Sequence, residues 1–400
     1  MTDSQQRLAR KYITYRTFTS LWFVGAVWLY FYRIFITDQQ VGILDGAAFA
    51  IGLLAEVPSG ALADKFGKDK IACLGQILAG SGLLIQAAGS SFMPFFVGQT
   101  IMMIGIAFLS GADEALFFQK LKFDRQSPQW RQLVTRGSQI GLIAALCATI
   151  AGGWLYAVNP RLPWVLNGLA FLAAAVVIWT VKDERAMRVR QKFFTELNDY
   201  LRDIKTGFAQ FGLPKLRIYV AFILTVQGLF YATGYGLLRL VLLDRFQFDP
   251  FWGSVAIASS SLITVGVLAY MHKHANDLSE KRILVTIGCV SASSLLLSLA
   301  DIGAWGYIVI LALYVGEYVL HPFMSEILNN HAPDEQRASV LSVASFLKSL
   351  PYIFLAPLIG YLNTNGTLEY FLITWAILIF VAVFFYVSAK RGDTHIALTE

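Results

Sequence analysis

Long apolar runs alternate along the chain with short polar stretches. A helix that crosses the hydrocarbon core of a bilayer needs about 20 mostly apolar residues. Runs near that length cover residues 13–36, 41–63, 71–89, 93–118, 134–158 and 163–181, then 216–243, 251–271, 283–300, 304–328, 338–362 and 368–389. The pattern predicts an all-α polytopic membrane protein, with twelve transmembrane helices in two six-helix halves. Residues 182–214 form the one long polar segment. Within it Phe193, Phe194, Leu197, Tyr200, Leu201, Ile204 and Phe208 recur at helical spacing, with charged residues on the other face. That spacing predicts an amphipathic helix lying along the membrane surface, inside a linker. The expected domains are a bundle over 1–181, the linker 182–214 and a second bundle over 215–400.

Composition agrees with a lipid solvent. Hydrophobic residues make up 56% and charged residues 14%, whereas soluble domains carry about 25% charged residues. The net charge of +6 raises the question of nucleic acid. The distribution of basic residues answers it: 27 of the 32 Lys and Arg fall in alternate loops and at the two ends. By the positive-inside rule those segments are cytoplasmic, both termini included, and the basic groups form a membrane face rather than a nucleic-acid groove. No signal peptide is expected at the start of the chain. Cys73, Cys147 and Cys289 lie in apolar runs as packing residues, and His272 and His274 lie in a charged loop, so neither a disulfide framework nor a metal site is expected. Motifs for a zinc protease, a serine hydrolase and a phosphate loop are absent, which argues against an enzyme or an ATP-driven pump. Placing Lys11 on Arg217 brings Arg33 onto Arg239 without a gap, as a duplicated half predicts. Both arginines are expected near the outer ends of their helices.

The second run ends in EVPSGALADKFGKDK, residues 56–70. Gly60 is expected to let another helix approach, and Gly67 to turn with positive φ. Asp64 is placed to accept from a helix N-terminus or to pair with an arginine, while the lysines hold the loop at an anionic surface. Gly60, Asp64, Lys65, Gly67 and Lys68 in this loop resemble the signature of the major facilitator superfamily. The resemblance implies that fold, with halves related by pseudo-symmetry, and a gating latch between Asp64 and the start of the eleventh helix at Asp334, Glu335, Gln336 and Arg337. Asp69 departs from the pattern, standing where a second basic residue is usual. Glu56-Val-Pro-Ser-Gly60, Ser110-Gly-Ala-Asp-Glu-Ala115 and Arg337-Ala-Ser-Val-Leu-Ser342 resemble one branch of that superfamily, often associated with efflux. Two features of its proton-coupled members are missing. Gln99 stands about where an arginine is frequent, and Ala148-Thr-Ile-Ala-Gly-Gly153 lacks the Gly-Pro of antiporters.

An ionised side chain near the centre of a membrane helix costs about 2.5–3.5 kcal/mol, so such residues are functional candidates. Asp113 and Glu114 are neighbours, about 100° apart on a helix, so at most one faces straight into a cavity. Either one is a candidate proton or cation carrier, or else the partner of Arg136 or another buried base. Glu56 is expected to pair with Arg136, or to release protons. Glu317 and His321, four apart, share a face beside a possible kink at Pro322, and histidine beside a carboxylate titrates near neutral pH. They are either coupling groups or a satisfied buried pair. Lys348, in the eleventh run, is open to snorkelling, pairing with an acid, or attracting an anionic substrate. The resemblance further implies that helices 1, 4, 7 and 10 line the substrate path. That would gather Arg33, Asp113, Glu114, Arg239, Glu317 and His321, together with Tyr30, Tyr231, Tyr235 and Tyr314, although tyrosines at helix ends are also ordinary interface anchors.

The function implied is secondary transport of a small organic molecule by alternating access. Proton-coupled efflux is the first expectation; proton- or cation-coupled uptake is the alternative. The expected partners are the substrate, protons or another coupling ion, and the lipid bilayer. The chain is expected to act as a monomer in a bacterial inner membrane, without a cofactor.

Overall fold

The computed structural model describes residues 3–121, 128–181, 202, 205–234, 236–274, 279–333 and 336–396. These residues form helices in twelve columns and, among themselves, no strand. In chain order the columns are α1 (Asp3–Ser20, continued by Trp28–Arg33), α2 (Asp38–Phe66), α3 (Lys68–Ala88), α4 (Phe92–Leu109, continued by Ala112–Leu121), α5 (Pro128–Val158) and α6 (Leu162–Trp179). Then come α7 (Pro214–Phe222 through Leu237–Arg245), α8 (Pro250–Lys273), α9 (Glu280–Leu297), α10 (Tyr307–His331), α11 (Arg337–Thr364) and α12 (Leu368–Ile396). Among the described residues nine helices are individually long and apolar enough to span a membrane, and α2, bent by 49° ahead of Pro58, makes ten. Of the other two, α1 is interrupted and α9 opens on charged residues.

Three columns break inside their apolar runs. Between its two stretches α1 passes through turns, and the Val24 N–H donates to Asn167 Oδ1 at 3.3 Å. In α4, Gly111 takes φ +74°, the left-handed region that suits glycine. In α7 the residues Ile223–Gln227 are π-helical, and the Trp375 indole donates to the Thr225 carbonyl at 3.0 Å. A second break precedes Leu237, whose N–H donates to the Tyr352 hydroxyl at 2.9 Å. In hydrocarbon a helix tolerates such breaks only where neighbouring groups take up the freed backbone. By contrast α10, the column expected to kink, runs unbroken through Pro322.

Contacts divide the chain into two units, residues 1–36 with 47–200 and residues 37–46 with 201–400. In unit 1, α3 lies against α4 and α6 through facing glycines: Gly75 opposite Gly105, Gly82 opposite Gly98, Gly80 opposite Gly168. Small residues let helix backbones approach closely where lipid supplies no hydrophobic drive. Beyond the end of α3, the Arg161 guanidinium donates to the Ala87 carbonyl, to the Gly89 carbonyl at 3.0 Å and to Ser90 Oγ at 2.9 Å.

In unit 2 the start of α2 packs on α11, with Gly42 against Ala356 and Gly360 against Asp38. Residues 205–211 are helical, and Phe208 meets Phe346 of α11 at 6.0 Å between ring centroids. The earlier part of the expected amphipathic helix, residues 193–201, lies outside the described residues. Arg245 closes the end of α9 much as Arg161 closes α3: its Nε donates to the Ser298 carbonyl at 2.8 Å and its Nη1 pairs with Glu369 at 2.9 Å. At the opposite end of the unit, just before the apolar run of α9, Glu280 accepts from Tyr219 at 2.7 Å and Tyr386 at 2.8 Å, with Lys390 at 3.5 Å. Burial pushes that carboxyl up. The two phenol bonds and the charges of Lys390 and His331 outweigh it and hold the group below the usual carboxylate range.

Candidate functional sites in the two units

In unit 1 the polar chemistry gathers where α4 breaks. Asp113 stands two residues after Gly111, in the first turn of the new stretch, where its carboxylate meets α1. Its Oδ2 accepts from the hydroxyl of fully buried Tyr15 at 2.9 Å, and its Oδ1 from the Glu114 N–H at 2.7 Å. The Gln76 amide of α3 donates to the same Tyr15 oxygen at 2.7 Å. Of the adjacent acids, then, Asp113 faces a neighbouring helix, while Glu114 is exposed. A second buried cluster joins Tyr32 to Gln86 Oε1, which also accepts from the Trp164 indole at 3.2 Å.

The other expected residues of this unit are spread along it. Tyr30 and Arg33 are half-buried in the last stretch of α1, while Glu56, Asp64 and Arg136 are exposed. Among the described residues, a Cβ at Gly60 would meet nothing within 4 Å. Gly67 takes φ +104° ahead of α3, whose first residue is the half-buried Lys68. Asp69, the departure from the basic pattern, is buried in the first turn of α3, where an acid suits the helix N-terminus.

In unit 2 the corresponding gathering lies at the second break of α7. The Glu317 carboxylate of α10 presses on the Gly234 backbone so closely that any Cβ at 234 would collide with it. Its Oε2 is buried, with no hydrogen-bond partner among the described residues. Arg239 and Lys348 are its charged neighbours. Lys348 Nζ is 3.1 Å from His321 Nε2, and His321 is exposed. A narrow crevice beside the break is lined by Thr233, Arg239, Leu242, Ile310, Leu313 and Tyr314. Tyr314 bonds to Ser261 Oγ at 2.7 Å. The Tyr231 ring lies tilted against that of Tyr352 at 5.8 Å between centroids, and the Tyr352 hydroxyl donates to buried Asp45. Arg337 is exposed at the first residue of α11. Tyr235, Asp334 and Glu335 lie outside the described residues. Arg33 and Arg239, aligned by the repeat, do not hold matching places. Arg33 closes its helix, while Arg239 is buried near the start of the last stretch of α7, not at its outer end.

Tyr15, Gln76, Gln86, Asn167, Asp45 and Tyr352 were not singled out by sequence. The available signal was the amides: Gln76, Gln86 and Asn167 sit inside apolar runs, where each must find a partner.

Breaks in α1, α4 and α7 within a twelve-column helical protein narrow the possible families. The sequence profile of the Major Facilitator Superfamily matches residues 13–356. The chain belongs to that superfamily. A curated relative, Multidrug resistance protein 2 of Bacillus subtilis (strain 168), is 23% identical over 330 residues, 78% of this chain and 77% of the relative. The uncharacterized MFS-type transporter YxaM of the same strain is 21% identical over 375 residues, 88% of each chain. Among solved structures, the nucleoside transporter NupG superposes with a TM-score of 0.74 at 12% identity, covering 98% of this chain and 100% of that one. A D-xylose-proton symporter gives 0.68 at 13% identity, with 96% and 97% covered. At those identities the likeness is one of fold. This MFS protein is thus a multi-pass membrane transporter of the secondary type.

Proposed function

We propose that this transporter couples the export of a small organic molecule to protons, by alternating access, in a bacterial inner membrane with both termini cytoplasmic. One observation carries the reading: each unit holds a carboxyl group against a broken helix, Asp113 beside Gly111 and Glu317 against Gly234. A carboxyl group there changes its hydrogen-bonding capacity when it gains a proton, at the place where the helix is free to move. Asp113 and Glu317 are the coupling groups, and His321 tunes the second through Lys348. Export is the direction favoured by the relative named for multidrug resistance. Uptake with protons is the second reading, favoured by Arg239 and Lys348: a proton on Glu317 leaves those cations to attract an organic anion.

The experiment is flux in proteoliposomes under an imposed pH gradient, across cationic, neutral and anionic organic solutes. Accepted solutes should follow the gradient, and Glu317→Gln should abolish that dependence while the protein still inserts. Flux that ignores the gradient for every accepted solute sinks proton coupling.

A further inference from the structure

The chain Gln76–Tyr15–Asp113 joins α3, α1 and α4 in one line of hydrogen bonds, and every donor in it points toward the acid. Gln76 Nε2 donates to Tyr15 Oη, and the Tyr15 hydroxyl donates to Asp113 Oδ2. The other carboxylate oxygen is taken by the Glu114 N–H. With Tyr15 donating, both carboxylate oxygens accept, which is the arrangement that suits the deprotonated acid. It leaves one loose end. Gln76 is fully buried, and its Oε1 has no hydrogen-bond partner among the described residues. A buried acceptor left unsatisfied is costly, and such an atom calls for an explanation.

Protonation of Asp113 provides one. The new O–H must donate, and the oxygen facing it is Tyr15 Oη. Tyr15 must then turn its own proton away from Asp113, toward the Gln76 side chain. A half-turn of the Gln76 amide puts Oε1 in reach of that proton. Every bond in the line is remade with its direction reversed, and the unsatisfied acceptor of the first state is satisfied in the second. We propose that Gln76 is a positioning residue for the proton of Asp113, an inverter that turns over as the acid is protonated and carries its state from α4 through α1 to α3. The proposal rests on the reading of Asp113 as a proton carrier.

The surroundings suit a two-state line. Tyr15 is packed among Ala72, Cys73, Leu116 and Phe117, with the Phe117 ring at 5.5 Å, so water does not compete for its proton. The charged groups nearest Asp113 and Tyr15 are Arg16 of α1 and Glu114 of α4, and Tyr12 of α1 is a further titratable neighbour of the same acids. Neither the Arg16 guanidinium nor the Glu114 carboxylate takes part in the line.

Infrared difference spectra of the purified protein in lipid, recorded across a pH titration, test the proposal without a substrate. Asp113→Asn identifies the carboxyl band. Tyr15→Phe removes the donor to the ionised acid, so the midpoint of that band should rise by about one pH unit. Gln76→Leu costs the ionised state one neutral donor to a hydroxyl that still donates to the acid. In the protonated state it strands the Tyr15 proton without any acceptor; this second loss is the larger, so the midpoint should fall. Opposite signs are the expected result, because nonspecific loosening would move both variants the same way. Shifts of the same sign, or no shift in Gln76→Leu, overturn the inverter. Tyrosine-labelled wild-type protein supplies a second measure should a variant fail to fold: a tyrosine C–O band must change along with the carboxyl band, and a band indifferent to pH also overturns the proposal. The transport reading fails separately. If Asp113→Asn proteoliposomes keep the wild-type dependence on the pH gradient while the infrared signs are opposite, Asp113 leaves the transport cycle and the inverter stands.

Discussion

The two units meet the same difficulty with different chemistry. Each breaks a helix inside hydrocarbon and must satisfy the backbone that the break exposes. Unit 1 relies on neutral partners: Asn167 takes the Val24 N–H, and beside the α4 break the neutral Tyr15 and Gln76 line up behind a single acid, Asp113. Unit 2 uses charge. Tyr352 takes the Leu237 N–H while donating to Asp45, and Glu317 lies against Gly234 with Arg239 and Lys348 as charged neighbours. The difference teaches where each unit is sensitive. A line with one acid and neutral donors responds to the geometry of single hydrogen bonds, whereas a cluster of several charges responds to net charge and to anything that displaces one member.

The comparison breaks most readily at the glycines. Gly234→Val drives a side chain into the buried Glu317 carboxylate, which must swing aside, and should cost about 2–3 kcal/mol, with loss of transport. Gly111→Ala meets no atom within 4 Å and pays only for its positive φ, about 1–2 kcal/mol. Unfolding midpoints in detergent measure both, and equal losses would mean that the α7 break is no more crowded than that of α4.

A smaller and more symmetric effect is expected at the arginines. Arg161→Ala and Arg245→Ala each leave part-exposed helix-end carbonyls without their charged donor, at about 1 kcal/mol. Glu369 adds little to the second, because it is exposed. A loss confined to one variant would show that the two ends are not held alike.

The smallest effect concerns acid. The folded state holds the Glu280 carboxyl below its ordinary range, so its contribution to stability is present above that range and fades as pH falls through the folded value. Glu280→Gln should flatten the acid limb of the stability profile, which pH-dependent melting would record. An unchanged limb would place the acid sensitivity elsewhere.

The twelve columns were legible because hydrocarbon thickness sets the length of an apolar run. The breaks were not. Gly111 and Gly234 lie in apolar runs as many tolerated membrane glycines do, and nothing local distinguishes a glycine that packs from one that turns. Of the site, the acids were legible because charge in lipid is costly. Their partners were not: Tyr15 lies near the start of its run, where an interface anchor is equally at home, and Gln76 is separated from Asp113 by most of two helices.

Arg161 precedes α6, whereas Arg245 ends α7, yet each binds the last carbonyls of the third helix of its half. Ancestry therefore does not decide which loop supplies the clasp. A partial negative charge at a helix terminus accepts a guanidinium from whichever neighbour reaches it, so after duplication the task is free to migrate while the helix it serves stays in place. Residue-by-residue superposition of the two halves would mark both arginines as unmatched and miss that they do the same job.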